Sequence, residues 1–454
     1  MSGPKVVRIV TREEIIAICE GHLARLNEAI QQWTKFCRTN SVATEEEIAA
    51  TLARQSALAK LLAEDRFAEL QKAVPAEIDF LKTDRQTRSE RVAERKAKAF
   101  AHQRRTAAVA MEILVALDRS GKSVSNDLRS SLEQVATGHS TDTSAIAQAF
   151  ALLSEDKPSG VSELQRELAS AHKENETRQT FNEWLASQSY TESDDAFKRL
   201  DLLLAQLSVV LGAEAVNNFQ ERLRSISSQG PTRNRSLLID SLELDLTQAV
   251  SKARERNEIE QRLRMLAAEL SAVDSDEAKQ FSRTINVQLQ GTFESLRDLE
   301  KRALEILEQA VSQIAARARR LAVLKGLADL GYHVSEGMET AWVRNGTVVL
   351  NRTLESGYGV EISGKIDSGR VQMRTVAFRN SNKITDATSD KTAETAFCSD
   401  VTKLQEKFAE AGNQILIERA AEIGATPLKT VPVVARNEEA QLMVPPTAKE
   451  RSLK

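Results

Sequence analysis

Residues 11–33 read TREEIIAICEGHLARLNEAIQQW. Mostly apolar side chains recur through this stretch at spacings of three and four, at Ile15, Cys19, His22, Leu26, Ile30 and Trp33. Such spacing puts them on one face of an α-helix. Thr11 and Glu14 have capping-box spacing at its start, and Thr44 and Glu47 have the same spacing before the next predicted helix. The stretch therefore predicts a long amphipathic helix, and comparable patterns fill most of the chain.

The composition favours an extended helical protein over one large globule. The chain has 454 residues, of which 28% are charged and only 4% are aromatic. Because aromatic side chains dominate the burial in compact cores, so few of them suit long helices better. A net charge of −3 gives no overall attraction to nucleic acid or acidic lipid.

We expect a mainly α fold: an elongated helical bundle with coiled-coil segments, followed by a small α+β domain with a four-stranded antiparallel sheet and flanking helices. A crowding of glycines over residues 326–369 marks the clearest boundary. The expected divisions are an N-terminal extension (1–10), a long-helix or coiled-coil region (11–120), a shorter-helix bundle (121–230), long antiparallel helices (231–325), the α+β domain (326–425) and a flexible tail (426–454).

The expected helix boundaries follow the proline and capping residues. Helices over 45–74 and 76–117 should be separated by Pro75, which cannot continue the helical hydrogen bonds. Asp274 and Glu277 have capping-box spacing before a helix that reaches residue 330. That helix carries a heptad pattern typical of a coiled coil, at Leu304, Leu307, Val311, Ile314, Ala318 and Leu321.

The region after residue 330 predicts strands. Asn345-Gly346 lies between two β-rich arms, which favours a hairpin turn with positive φ at both positions. A second hairpin is expected from 358–364 and 370–378 around Asp367. A helix over 392–423, with Phe397, Val401, Leu404, Phe408, Ala411 and Ile415 on one face, should cover the apolar side of the sheet.

Sequence motifs for nucleotide binding are incomplete. Ser120-Gly121-Lys122-Ser123 resembles the end of a P-loop, but a helical alanine, Ala116, stands where that loop needs its first glycine. An interhelical turn is the simpler interpretation. Gly357, Gly359 and Gly364 have the wrong spacing for a dinucleotide site and are interpreted as turn glycines. We expect no cofactor.

The histidines and cysteines give no metal or catalytic pattern. No pair among His22, His102, His139, His172 and His333 has metal-ligand spacing. Cys398 near a helix start, with His333 as a distant partner, is the one candidate nucleophile, weighed against a structural cysteine. Three cysteines do not form a disulfide framework, and no segment approaches the ~18 apolar residues of a membrane span. These features favour a cytoplasmic protein without membrane contact.

A basic stripe on the predicted helix 76–117 is the strongest candidate for an interaction site. Its members are Arg85, Arg88, Arg91, Arg95, Lys96, Arg104 and Arg105. Such a stripe can follow phosphates, pair with an acidic face of the same chain or of another subunit, or bind a different acidic partner. A second basic run flanks the α+β domain, at Arg317, Arg319, Arg320 and Lys325.

The leading hypothesis is a non-enzymatic scaffold or assembly protein. Its helices would form homo-oligomers, and its α+β domain would bind at least one protein partner through a strand edge or groove. One alternative is a nucleic-acid accessory protein that contacts the phosphate backbone through the basic stripe. A second is an enzyme with a site in the α+β domain, which would need a polar cleft around His333 or Cys398.

Overall fold

The computed structural model describes residues 4–121, 123–138, 140, 142–154, 192–227, 229, 232–352, 357–364, 368–379 and 387–432. Its helices are α1 Arg12–Asn40, α2 Glu45–Ala63, α3 Phe67–Ser120, α4 Asn126–Ala136, α5 Ser144–Ser154, α6 Glu192–Leu211, α7 Asn217–Ser227, α8 Arg233–Ala272, α9 Asp276–Gln288, α10 Phe293–Ala328, α11 Met338–Asn345 and α12 Ala387–Glu410. Its strands are β1 Lys5–Val10, β2 Tyr332–His333, β3 Thr347–Arg352, β4 Tyr358–Ser363, β5 Arg370–Arg379, β6 Gln414–Ala420 and β7 Lys429–Pro432.

This architecture confirms the predicted fold class, a mainly helical protein that ends in a small sheet with flanking helices. Several sequence predictions concern positions outside the described residues, namely Lys122, His139, residues 155–191 of the shorter-helix bundle with His172, Asp367 and the tail beyond 432.

The predicted caps at the first two helices are present. The Thr11 side chain accepts a hydrogen bond from the Glu14 backbone N–H, and Thr44 and Glu47 form a complete capping box. At α9 the cap is Ser275, whose side chain accepts from the Ala278 N–H, so the predicted Asp274 start was one residue early. The single helix expected from there to residue 330 was wrong, because α9 ends at Gln288 and Thr292 caps a separate helix, α10. Each cap satisfies a backbone donor that the helix leaves unpaired.

The helix break predicted at Pro75 was wrong, because α3 runs through this proline without interruption. The chain instead reverses between α2 and α3, where Asp65 has a left-handed φ of 57°. Leu70, Val74 and Leu81 lie on both sides of Pro75 and are buried against α1. Burial of a side chain of this kind contributes about 1.5–3 kcal/mol, so the three together outweigh the ~3 kcal/mol cost of one proline inside a helix.

Long helices form an arm built from a series of small cores. The 54 residues of α3 span about 80 Å at 1.5 Å per residue. Along the arm, separate buried clusters join α1 to α3, α6 to α8, α3 to α4 and α5, and α8 to α10. Each cluster is built mainly from Leu, Ile, Val and Ala, which explains how so few aromatic residues suffice.

The sheet has seven strands in the described part of the chain, rather than the predicted four. Their order is β2-β3-β4-β5-β1-β6, and β7 pairs in parallel with the end of β5. Residues 1–10 were expected to be an extension, but β1 lies inside the sheet between β5 and β6. Val7 and Ile9 are fully buried there. The helical arm is therefore inserted between the first strand and the rest of the sheet.

Asn345-Gly346 ends a helix instead of turning a hairpin. Gly346 has a φ of 67° and its N–H donates to the Trp342 carbonyl at the end of α11. The helix buries Trp342 in the core of the sheet domain. The second predicted hairpin is confirmed, because β4 and β5 pair antiparallel.

The C-terminal helix was predicted too long. α12 ends at Glu410, Gly412 adopts a φ of 75°, and β6 follows with pairing to β1. Within α12 the predicted apolar face is confirmed, since Phe397, Val401, Leu404 and Phe408 are buried against the sheet and α10. The tail was expected to be flexible from residue 426, but Lys429–Pro432 form β7.

Candidate functional site

The basic stripe lies on α3, and Arg88 within it forms hydrogen bonds to residues of its own chain. Arg88 donates to Asp84 at 2.7 Å and to Glu47 at 3.0 Å, and its guanidinium also contacts the Val42 carbonyl. Asp84 in turn accepts from the Trp33 indole at 2.7 Å, with the Arg88 cation over the same ring. The hydrogen bond from Arg88 is the main reason that the pKa of Glu47 lies below its ordinary value. The group ties α1, α2 and α3 together.

Arg104 is also engaged inside the protein. It donates to Asp201 of α6 at 3.0 Å, and its cation lies over the Phe197 ring. Asp201 is almost completely buried. Burial raises the pKa of Asp201, and the neighbouring Arg104 and Arg105 only partly oppose that rise.

The remaining stripe residues divide between internal contacts and solvent. Lys96 donates to the Ser208 hydroxyl at 3.0 Å, and burial lowers its pKa. Arg95 is exposed and donates to the Asn40 carbonyl at the end of α1. Arg91 is exposed and has no polar partner among the described residues. Most of the stripe thus serves intramolecular pairing, which favours that alternative over phosphate contact along α3.

Arg85 lines a cleft of about 780 Å³ between α1, α3, α6 and α8. Its cation lies over the Phe36 ring at 5.5 Å, and burial lowers its pKa. Amide side chains occupy the opposite walls, among them Gln206 and Asn257. The lining suits hydrogen bonding to a polar group more than it suits an apolar ligand.

A second cleft in the arm has a volume of about 360 Å³ and mainly apolar walls. Phe100, Met111, Leu204 and Leu223 line it beside the Arg104–Asp201 ion pair. Met111 is half exposed, so this cleft opens to the surface of the arm.

The candidate catalytic pair of the sheet domain is not supported by its surroundings. His333 is exposed on β2, and Cys398 is half-buried on α12. The buried polar group nearby is different: Asp400 accepts from the Tyr332 hydroxyl at 2.9 Å and lies 3.2 Å from Arg352. Across the described ranges, no three His, Cys, Asp or Glu side chains are arranged to hold a metal ion.

A buried carboxylate that sequence reasoning missed lies on the other face of the sheet. Glu361 of β4 accepts from Arg374 at 3.0 Å and from Lys429 of β7 at 3.0 Å. Burial alone would raise the pKa of Glu361, but the hydrogen bonds from both cations outweigh it and hold the pKa below its usual range. Its position between Val360 and Ile362 predicts an outward-facing residue, and only the fold reveals the two cations above it.

Among the described helices, none has the length and apolar character needed to cross a membrane. No family model matches the sequence, and neither the curated proteins nor the solved structures compared with it gave a match.

Proposed function

We propose that the protein is a non-enzymatic scaffold or assembly protein, in which the helical arm sets a distance and the sheet domain binds partners. The observation that carries this proposal is the insertion of the arm into the sheet. β1 enters the arm directly through α1, and α10 returns to pack on the same sheet. Because both ends of the arm are attached to the sheet, the far end of the arm would keep a defined position relative to the sheet domain.

The sheet domain has an open edge suited to assembly. β6 is the last strand of the sheet order and pairs only with β1 in the described part of the chain. Leu416 and Ile417 on this strand are 54% and 41% exposed. Unpaired backbone groups at a sheet edge bind a further strand readily. A second copy is the occupant that we propose, because a twofold axis brings two identical edges together antiparallel.

Size-exclusion chromatography with light scattering tests this arrangement over a range of protein concentrations. We expect wild-type dimers and a monomeric Leu416→Lys/Ile417→Lys variant. A matched control is Leu304→Lys/Leu321→Lys on α10, whose side chains are 51% and 46% exposed. This control should stay dimeric. A wild-type mass of 50.2 kDa at every concentration contradicts self-association, and a loss of mass in the α10 variant alone places it on the predicted coiled-coil face.

Two further parts of the proposal concern the compartment and a protein partner. The burial of Cys19 and Cys37 as free thiols suits a reducing, cytoplasmic setting. The sheet domain also binds at least one other protein in this proposal, and cross-linking at an exposed β6 position in the intact chain would identify it. No observation on His333 or Cys398 among the described residues favours the enzyme alternative.

A further inference from the structure

One face of the sheet is left open by the packing helices. α10 and α12 cover the face to which Val7, Val360 and Met373 point. Successive side chains of a strand point to opposite faces, so Val6, Arg8, Glu361 and Arg374 lie on the other one. Alternate residues of β1, β4 and β5 form this face, with Arg419 of β6 beside Val6 and Lys429 of β7 beside Val376. We call it the open face: Arg8, Arg370 and Arg419 are exposed on it, whereas Glu361 is 2% exposed and Val376 is fully buried.

Arginines occupy neighbouring positions on this open face. Arg8 of β1 is directly opposite Arg370 of β5, and Val6, two residues earlier, is directly opposite Arg419 of β6. Adjacent strands are about 4.8 Å apart, and alternate residues of one strand about 6.8 Å. Like charges in direct opposition destabilise a sheet. The ion pair of Arg370 with Glu418 offsets part of this repulsion, and an anionic partner would offset the charge that remains at Arg8 and Arg419.

The carboxylates on this face are already engaged. Glu361 binds Arg374 and Lys429, and Glu418 binds Arg370 at 2.9 Å. Arg8 and Arg419 form no ion pair with any part of the chain that the structure describes, and both are exposed. Five cations and two carboxylates give these positions a net charge of +3, whereas the whole chain carries −3.

We propose that this open sheet face binds the phosphate backbone of nucleic acid. Four of its five cations are arginines, whose planar guanidinium groups match phosphate oxygens better than lysine does. Gln372 and Ser363 lie between them and offer neutral donors of the kind that position a backbone. The aromatic residue at these alternate positions of β5 is Phe378, whose ring packs over Gly359. Binding in this proposal therefore depends on phosphate contacts rather than on base stacking and is independent of sequence.

This surface differs from the basic stripe on α3. In the stripe, Arg88 and Arg104 form ion pairs within the protein, whereas Arg8 and Arg419 form none with the described residues. The inference also stands apart from the scaffold proposal, because Arg8 lies on an interior strand that is accessible in a monomer and in an edge-paired dimer.

Fluorescence anisotropy with the full chain tests the proposal, with a labelled DNA duplex, the same single strand and an RNA duplex as probes. Arg8→Gln/Arg419→Gln should weaken duplex binding about tenfold and lower the slope of log K against log salt by about 2. Arg8→Lys/Arg419→Lys should keep the slope. The matched control Arg91→Gln/Lys98→Gln removes two exposed cations from α3 and should bind as wild type does.

Each contrary outcome is distinct. Absence of wild-type binding to every nucleic acid overturns the proposal, as does weakening by the α3 control without weakening by the sheet variant. Binding to a labelled poly-glutamate peptide as tight as to the duplex overturns it in favour of an acidic protein partner. Circular dichroism melts of all variants show whether a lost affinity reflects a lost fold, and single Arg8→Gln and Arg8→Lys variants repeat the test away from the β6 edge.

Discussion

Arg319 of α10 donates to Glu14 of α1 at 3.0 Å, and 305 positions of sequence separate the two residues. Both side chains are largely buried at the point where the arm meets the sheet. The pair links the first and last long helices of the arm next to the β4–β5 turn at Gly369.

Removing one partner of this pair should destabilise the protein strongly. Glu14→Leu removes the carboxylate that accepts two hydrogen bonds from the Arg319 guanidinium, and the loss of such charge-assisted bonds typically costs about 1.5–3 kcal/mol of unfolding free energy. The exposed Arg222–Asp245 pair provides the control, since Asp245→Asn should cost about 0–1 kcal/mol. Urea unfolding followed by circular dichroism measures both. Equal effects for the two variants contradict a structural role for the buried pair.

The internal role of the basic stripe predicts a contrast between two of its arginines. Arg88→Ala removes charge-assisted hydrogen bonds to Asp84 and Glu47 and should cost about 1.5–3 kcal/mol. Arg91→Ala alters an exposed side chain and should stay within about 0.5 kcal/mol of wild type. Unfolding midpoints of the two variants decide the matter, and a neutral Arg88→Ala would show that the observed contacts contribute little.

The sequence predicts the helical content and the starts of the first two helices because those signals are local, whereas the break expected at Pro75 was wrong because burial against α1 outweighs the proline. Periodicity and the caps at Thr11 and Thr44 require only neighbouring residues, and both appear in the structure. β1 has an alternating pattern too, but its partner strand β5 begins at Arg370, so its place in the sheet depends on contacts that no local pattern contains. Asn345-Gly346 is ambiguous for another reason, since positive φ serves a helix end as well as a hairpin.

The candidate site was predictable only as a pattern of charge. The spacing of Arg85, Arg88 and Arg95 indicates one positive helix face, but nothing local shows that Glu47 comes from a neighbouring helix to meet it. Arg8 and Arg419 were missed, because they belong to opposite ends of the chain and become neighbours only through β1–β6 pairing.

A glycine in α10 provides a second test of how the arm joins the sheet domain. A Cβ at Gly326 would lie 2.5 Å from the Leu404 side chain of α12 and 3.1 Å from Phe408. Gly326→Ala should therefore destabilise by about 1–3 kcal/mol, although alanine is the better helix former by about 1 kcal/mol. In a double-mutant cycle, Gly326→Ala should cost less stability in a Leu404→Ala background than in the wild-type chain. Stabilisation by Gly326→Ala alone means that the helices separate easily.

Stability should depend on pH with opposite sign at two buried carboxylates. Burial raises the pKa of Glu269, which packs against Gly21, and Arg25 only partly opposes the rise. A raised folded-state pKa means that the native protein binds the proton more tightly, so stability falls as pH rises from the unfolded-state pKa through the folded one. Glu269→Gln removes this loss, and its stability relative to wild type should increase from about pH 4 towards neutral pH.

Glu361 has a lowered pKa, so its stabilisation is present at neutral pH and lost on acidification. Glu361→Gln should therefore be least stable relative to wild type at neutral pH and approach it in acid. Urea titrations across this pH range measure both differences, and parallel curves for wild type and Glu269→Gln would contradict the assignment of a raised pKa.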